Sequence, residues 1–212
     1  MPSHDHWLFT QVYRLIARAE EVSPIAAART KVAAGLRGRL LIVGLGPGGD
    51  LAHLPDSVTH VVGVEPSASM RQAAHGAVQQ ARARGIQVEV IDAVGEDLPF
   101  ASDSFDSALF AYVLCSVDDP AQVVAEVRRV LRPGGEVAVL EHVVGHDGTW
   151  MRRAQRLAAP WWPRIAGGCR CDQDTAAVLA AGGFDTSRLR HVESVPLPPV
   201  GPALIGTTRV RG

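Results

Sequence analysis

The chain has 212 residues, 47% of them hydrophobic, enough for one compact α/β domain with a sizeable core and too few for a second of equal size. Lysine and arginine number 21 against 22 aspartates and glutamates, a net charge of −1, so there is no electrostatic reason to expect nucleic acid or an anionic membrane as partner. The longest apolar runs, such as Leu40 to Leu45 and Val137 to Leu140, are strand-sized and fall short of the roughly 20 residues that span a bilayer.

Trp7 to Arg18 and Pro24 to Leu36 have helical spacing, with Ser23 as a cap before Pro24. They make residues 1–37 a helical N-terminal cap. Leu40 to Val43 is a strand buried on both faces, followed by the turn Gly44-Leu45-Gly46-Pro47-Gly48-Gly49 and a poorly regular helical segment. Val61 to Val64 is a second strand, Ser67 to Ala83 a helix capped near Ser67 or Ser69, and Val88 to Ile91 a third strand. Ala108 to Val113 makes a fourth strand, Pro120 to Leu131 a helix, and Val137 to Leu140 a fifth strand that completes a cofactor-binding core over residues 38–143. Residues 144–212 form a substrate-side insertion and a closing hairpin. They contain a segment from Thr149 to Leu157, the corner Pro160-Trp161-Trp162-Pro163, a helix from Asp174 to Ala181, and strands at Arg188 to Val192 and Leu204 to Val210. The alternation predicts a mostly parallel, doubly wound sheet with an antiparallel last strand.

A strand that ends in a glycine turn brings backbone N–H groups close to a ligand, because glycine has no side chain to hold it away. Glu65 closes the second strand about 20 positions after Gly44, where a carboxylate can accept hydrogen bonds from both ribose hydroxyls of an adenosine cofactor. Gly44, Gly46 and Gly49 also spell the G-x-G-x-x-G fingerprint of NAD-dependent oxidoreductases, and the same glycines suit a plain strand-to-helix turn.

Four further segments separate these readings: Gly95-Glu96-Asp97-Leu98-Pro99-Phe100, Asp103-Ser104-Phe105-Asp106, Tyr112 to Val117, and Arg129-Val130-Leu131-Arg132-Pro133-Gly134-Gly135, which leads on to Glu141-His142-Val143. In order and spacing they resemble the class I S-adenosylmethionine (SAM)-dependent methyltransferases. Through Ala93 to Glu96, Val113 to Val117, Glu141 to Val143, Thr149-Trp150 and Gly168-Cys169 the chain is similar to the small thiol methyltransferases, with the ubiquinone-type C-methyltransferases as neighbours. The resemblance implies a Rossmann-like seven-stranded fold with SAM as cofactor. It places Gly44, Leu45, Gly46, Gly48, Glu65, Pro66, Val94, Gly95, Glu96 and Tyr112 at the cofactor. Two positions depart from the family pattern. Ile42 and Val94 stand where many members carry an acid, which leaves backbone groups near Gly44, Tyr112, Val94 and Gly95, or Asp92, to take over. Those losses also raise a non-catalytic SAM-binding protein as an alternative.

Methyl transfer from a sulfonium is an in-line displacement that needs alignment and exclusion of water more than side-chain chemistry. A thiol acceptor, with a reference pKa of about 8.5, needs less help from a base than a quinone-like or natural-product phenol near 10. His142, just past the fifth strand, is the candidate base, and a histidine capping a strand end is its structural counterpart. Tyr13, Trp150, Trp161 and Cys169 are candidates for a small-molecule acceptor pocket; Trp162 and Trp7 share the ambiguity between pocket and packing. Cys169-x-Cys171 lacks a second Cys/His pair at zinc spacing, so no metal is expected there and ordinary reduced thiols are. Cys115 is expected to be structural, and His4, His6 and His146 solvated. With three cysteines and no apolar run resembling a signal peptide between Met1 and Glu20, the expectation is a cytoplasmic monomer or homodimer with no membrane partner.

Overall fold

The structure, a computed structural model, describes residues 24–193 and 198–211. The expected helix from Trp7 to Arg18, the Ser23 cap and the pocket candidate Tyr13 lie outside the described residues. Seven strands, β1 (Gly38–Val43), β2 (Val58–Val64), β3 (Gln87–Ile91), β4 (Phe105–Ala111), β5 (Leu131–His142), β6 (Arg190–Glu193) and β7 (Pro202–Arg209), form one sheet in the order β3-β2-β1-β4-β5-β7-β6. β1 to β5 pair in parallel, and β7 runs antiparallel to both β5 and β6. The helices are α1 (Pro24–Ala33), α2 (Ala68–Ala73), α3 (His75–Ala83), α4 (Pro120–Val130), α5 (Trp150–Ala158), α6 (Trp162–Ile165) and α7 (Thr175–Ala181). None of the described helices is long and apolar enough to cross a membrane.

The apolar run of β1 is continuous because both faces of the sheet are covered. Leu41 and Val43 point into a core with Val123, Val124 and Val127 of α4 and Leu179 of α7. Leu40 and Ile42 alternate to the other face, against Val32 of α1 and Val78 and Ala81 of α3. The chain winds outward from β1 to β3 and then returns to β4 on the far side of β1, so strand order reverses between β1 and β4. At such a reversal the loops beyond the carboxyl ends of the strands diverge and leave a ligand crevice.

Side-chain caps fix the helix starts. Ser67 accepts from the N–H of Met70, Asp119 from Ala121 and Gln122 beside Pro120, Thr149 from Arg152, and Asp174 from Ala177. Several boundaries differ from expectation, β5 for one beginning at Leu131 rather than Val137, and two of them bear on the site. Ser67 to Ala83 is divided at Ala74 into α2 and α3, with Ala74 still in a right-handed helical conformation. β4 ends at Ala111 because Tyr112 takes a left-handed conformation, φ 57°, that turns the chain out of the strand.

Carboxylates tie the far end of this core together. Burial raises the pKa of Asp106, but the N–H of Arg39, 2.8 Å away, and the Arg132 guanidinium outweigh it and hold the carboxyl below its ordinary value. Glu126 is held low by Arg129, at 2.8 and 2.7 Å, and by the Leu98 N–H, against a raising effect of burial. A carboxylate whose pKa is depressed on folding stabilises fully above its unfolded value near 4, and that contribution is lost as pH falls through the folded value. Urea unfolding is therefore expected to show a larger loss of stability between about pH 6 and about pH 3 in the native protein than in the Asp106→Asn/Glu126→Gln double variant. Equal losses would show that these pairs do not carry the acid sensitivity.

Candidate active site

At the carboxyl edge of β1, Gly44 and Gly46 have φ of 67° and 54°, values that side chains rarely adopt. A Cβ on Gly44 would lie 2.5 Å from Val113 Cγ2, so glycine is what allows the β1 turn to sit against the chain leaving β4. A Cβ on Gly46 would meet nothing within 4 Å; its turn faces open space, as a cofactor cradle should. Glu65, 8% exposed at the end of β2, accepts from the N–H of Gly46 at 2.9 Å with Oε2 and from that of Ser67 at 3.0 Å with Oε1. The Arg71 guanidinium donates to the carbonyls of Glu65 and Pro66 at 2.7 and 2.9 Å. A carboxylate oxygen has two acceptor lone pairs, so a carboxylate held by backbone amides in this way can also bind a ribose diol. The donor set fits an adenosine cofactor.

The literal dinucleotide fingerprint does not extend into structure. Gly49 opens a 3₁₀ turn, Gly49–His53, in place of the α-helix whose N-terminus receives a pyrophosphate. Ile42 is fully buried in the sheet, so an acid there is replaced by core packing. Asp92, the candidate substitute for the acid missing at Val94, is paired with Arg71 at 2.8 Å and is mostly exposed. Glu96, expected at the cofactor, is hydrogen-bonded within the protein. Its Oε1 accepts from the N–H groups of Asp118 and Asp119 at 3.1 and 3.2 Å, so its side chain pins the start of α4. Gly95 is buried where a Cβ would stand 2.8 Å from Val43 Cγ1 and 3.2 Å from Val123.

Past β4 the chain is held by a buried carboxylate. Glu141, 0% exposed, accepts from the N–H groups of Val113 and Leu114 at 2.9 and 3.1 Å, and burial pushes its pKa up to about 7 against the pull of those amides. The next residue, His142, stacks its ring on Tyr112 with centroids 4.3 Å apart, and Arg29 lies over the Tyr112 ring at 5.5 Å. The sulfurs of Cys115 and Cys169 are 3.6 Å apart, and Cys169 Sγ is 4.0 Å from His142 Nδ1. The neighbouring Cys169 thiol and burial both push the Cys115 thiol well above its ordinary pKa. Cys171 turns away from this group toward Gln155, and burial, then Asp172, push its thiol up to about 11.

Gln155 of α5 is a residue that sequence reasoning missed. In an arginine-rich helix it looks solvent-facing, yet it is 0% exposed. Its Nε2 donates to the carbonyls of Val143, Cys171 and Pro199 at 3.0, 2.8 and 3.1 Å, and its Oε1 accepts from Gly145 N–H at 2.8 Å. It ties the exit of β5 to the cysteine loop. Trp150 and Trp161, expected to roof an acceptor pocket, are 62% and 49% exposed. A polar cavity of about 330 Å³ opens among Gly145, His146, Asp147, Arg152, Asp172 and His191, and neither His142 nor Cys169 lines it.

Comparison with known proteins agrees with this geometry. The methyltransferase-domain family matches residues 41–139. Thiol S-methyltransferase TMT1B of Rattus norvegicus is 31% identical over 212 residues, covering 97% of this chain and 78% of that protein. The Homo sapiens protein of the same name is 38% identical over 127 residues, covering 58% of this chain and 52% of its own, so the chain spans about half the length of that relative. A SAM-dependent methyltransferase structure from Thermotoga maritima covers 96% of this chain and 98% of its own with a TM-score of 0.64 at 20% identity, a likeness of fold. By its sheet order, its glycine turn with Glu65 and these relatives, the chain belongs to the class I SAM-dependent methyltransferases.

Proposed function

We propose that the protein transfers a methyl group from SAM to the sulfur of a small apolar thiol. The observation that carries this reading is the placement, beyond the carboxyl ends of neighbouring strands, of the Gly46–Glu65 clamp at β1 and β2 and of Cys115 and His142 at β4 and β5, with Cys169 brought to them by the loop after α6. The relatives named as thiol S-methyltransferases support the acceptor class. In this reading Glu65 holds the ribose, with Pro66 beside it. The backbone of Gly44, Leu45, Gly46, Gly48 and Tyr112 receives the methionine end, and that of Val94 and Gly95 meets the adenine edge. Glu96 shapes the site from behind through the loop at Asp118.

When bound, SAM supplies a methyl on a sulfonium, and the acceptor sulfur's lone pair forms the new C–S bond while the old bond's electron pair returns to the cofactor sulfur. The chain's own work is to align the acceptor and see its proton removed. His142 stands where that proton leaves, and Cys169 lines the approach. Three buried free cysteines suit a reducing compartment, and we place the protein in the cytoplasm.

Calorimetric titration with S-adenosylhomocysteine, followed by methyl transfer to ethanethiol, a phenol and a quinol, tests the proposal. Transfer to the thiol alone is expected. Transfer only to carbon or oxygen would move the protein to the quinone-type group, and binding without transfer to any acceptor would make it a non-catalytic SAM-binding protein. Gly46→Ala gives a smaller test of the cradle. The strained φ costs about 1 kcal/mol of stability, and a methyl group facing the open turn is expected to weaken S-adenosylhomocysteine about tenfold, or about 1.4 kcal/mol. Affinity equal to wild type would remove Gly46 from the cofactor site.

A further inference from the structure

Three segments far apart in sequence meet in one cluster. The ligand atoms of Cys115, His142 and Cys169 all lie within 4.8 Å of one another. A tetrahedral zinc with bonds of about 2.3 Å to sulfur and about 2.0 Å to nitrogen sets two sulfurs about 3.8 Å apart and a sulfur and a nitrogen about 3.6 Å apart. The observed 3.6 Å between the sulfurs and 4.0 Å from Cys169 Sγ to His142 Nδ1 are close to those values. The backbone is shaped to produce the meeting. Gly167 and Gly168 have φ of 59° and 89°, and a Cβ on Gly168 would stand 3.1 Å from the Ser116 carbonyl. Immediately after, the Arg170 N–H donates to the Cys115 carbonyl at 2.6 Å. On the other side, the Tyr112 ring packs on His142 and fixes the imidazole plane. Cys115 and Cys169 are buried, whereas His142 is half-buried, so the imidazole is the ligand through which the cluster meets solvent.

We propose that Cys115, His142 and Cys169 bind one zinc ion whose fourth position takes the acceptor thiol as its thiolate. The second half of the proposal rests on the thiol reading above. Three protein ligands with one position left for substrate is the arrangement of catalytic zinc. Zinc has no redox chemistry, and methyl transfer requires none. On binding, the Cys115 and Cys169 thiols release one proton each to solvent while His142 binds through neutral Nδ1. The acceptor thiol then displaces water from the fourth position and releases its own proton, since a coordinating thiol is deprotonated outright. Zinc with two thiolates is neutral, and a third makes the group anionic beside a cationic donor, which favours the encounter of the two. The methylated product is an uncharged thioether, a poorer ligand than a thiolate, and leaves the metal for the next thiol. In this arrangement His142 acts as a ligand, and the metal replaces it as the means of removing the proton.

Cobalt(II) titration of the reduced, metal-free protein tests the site without turnover. The expected result is thiolate-to-cobalt charge-transfer absorption with tetrahedral ligand-field bands, saturating at one ion per chain and displaced by zinc. Cys115→Ser, Cys169→Ser and His142→Ala should each bind cobalt at least tenfold more weakly, while Cys171→Ser keeps the spectrum. Ethanethiol, added without cofactor, should raise the charge-transfer intensity by about half as two thiolates become three. Absence of the bands, or their persistence in Cys115→Ser and Cys169→Ser, overturns the metal site, and a spectrum indifferent to ethanethiol overturns the acceptor's place on it. Circular dichroism reports whether each variant folds. Should the cysteine variants fail to fold, X-ray absorption of the zinc-loaded wild type decides instead, two sulfurs and one imidazole supporting the site and any other count refuting it. Full cobalt and ethanethiol responses without S-adenosylhomocysteine binding would sink the proposed methyl transfer and leave the zinc site standing.

Discussion

Replacing Glu65 with alanine is expected to weaken S-adenosylhomocysteine binding by about 1.5–3 kcal/mol, roughly ten- to 150-fold, with the fold retained. The size follows from the loss of a charged acceptor that is already positioned. Glu65 is held between the amides of Gly46 and Ser67, so the binding energy is not reduced by ordering a loose side chain. The fold survives because those two amides belong to turns at the sheet edge rather than to the strand ladder, and the Gly46 amide is only partly buried. Glu65→Gln keeps the shape and one acceptor oxygen, and an affinity between those of wild type and Glu65→Ala is expected from calorimetry. Ribose contacts are the same before and during transfer, so kinetics should show KM for SAM rising while kcat changes little. An alanine variant that binds as tightly as wild type would mean that the ribose is held elsewhere.

Why the meeting of Glu65 with the glycine turn was legible and the cysteine cluster was not comes down to how local each signal is. The Leu40 to Val43 run, the glycine turn and an acid at the end of the next strand are set by neighbours in sequence, and the register Leu40↔Val61 to Val43↔Val64 brings them together automatically. Pro120 with Asp119 marked the start of α4 for the same reason. Cys169 was paired in sequence with Cys171, two positions away, but the two side chains have different neighbours in this loop, Cys169 meeting Cys115 and Cys171 meeting Gln155. Only a tertiary contact created by the Gly167-Gly168 turn shows that. The sequence signal that could have exposed it was present, because three of the segments similar to thiol methyltransferases contain Cys115, His142 and Cys169. The exit of β4 was misplaced by two residues because Val113 continues the apolar run, while the left-handed Tyr112 and the Glu141 carboxylate decide where the strand ends. Gln155 was invisible for a related reason, since its partners come from three loops rather than from its own helix.

Glu141→Ala is expected to destabilise the protein by about 2–6 kcal/mol, the cost of leaving two buried N–H donors without an acceptor at about 1–3 kcal/mol each. Val113 and Leu114 are buried and lead straight into the core, so water cannot replace the carboxylate at their amides. Glu141→Gln separates hydrogen bonding from charge. Its amide oxygen can accept from both N–H groups and it carries no charge into a fully enclosed position, while its NH2 takes the place of the buried, unpartnered Oε2, so urea unfolding should place it between wild type and Glu141→Ala. The pair also tests a positioning role. Val113 and Leu114 lead directly into Cys115, and Glu141 precedes His142, so one carboxylate sets the two ends of the cluster relative to each other. If that is its role, Glu141→Ala, measured where it is still mostly folded, should lose cobalt affinity and thiol methylation beyond what its unfolded fraction explains, and Glu141→Gln should restore both. Rescue of stability by glutamine without rescue of cobalt binding would show that the charge itself, and not the hydrogen-bond geometry, acts on the cluster.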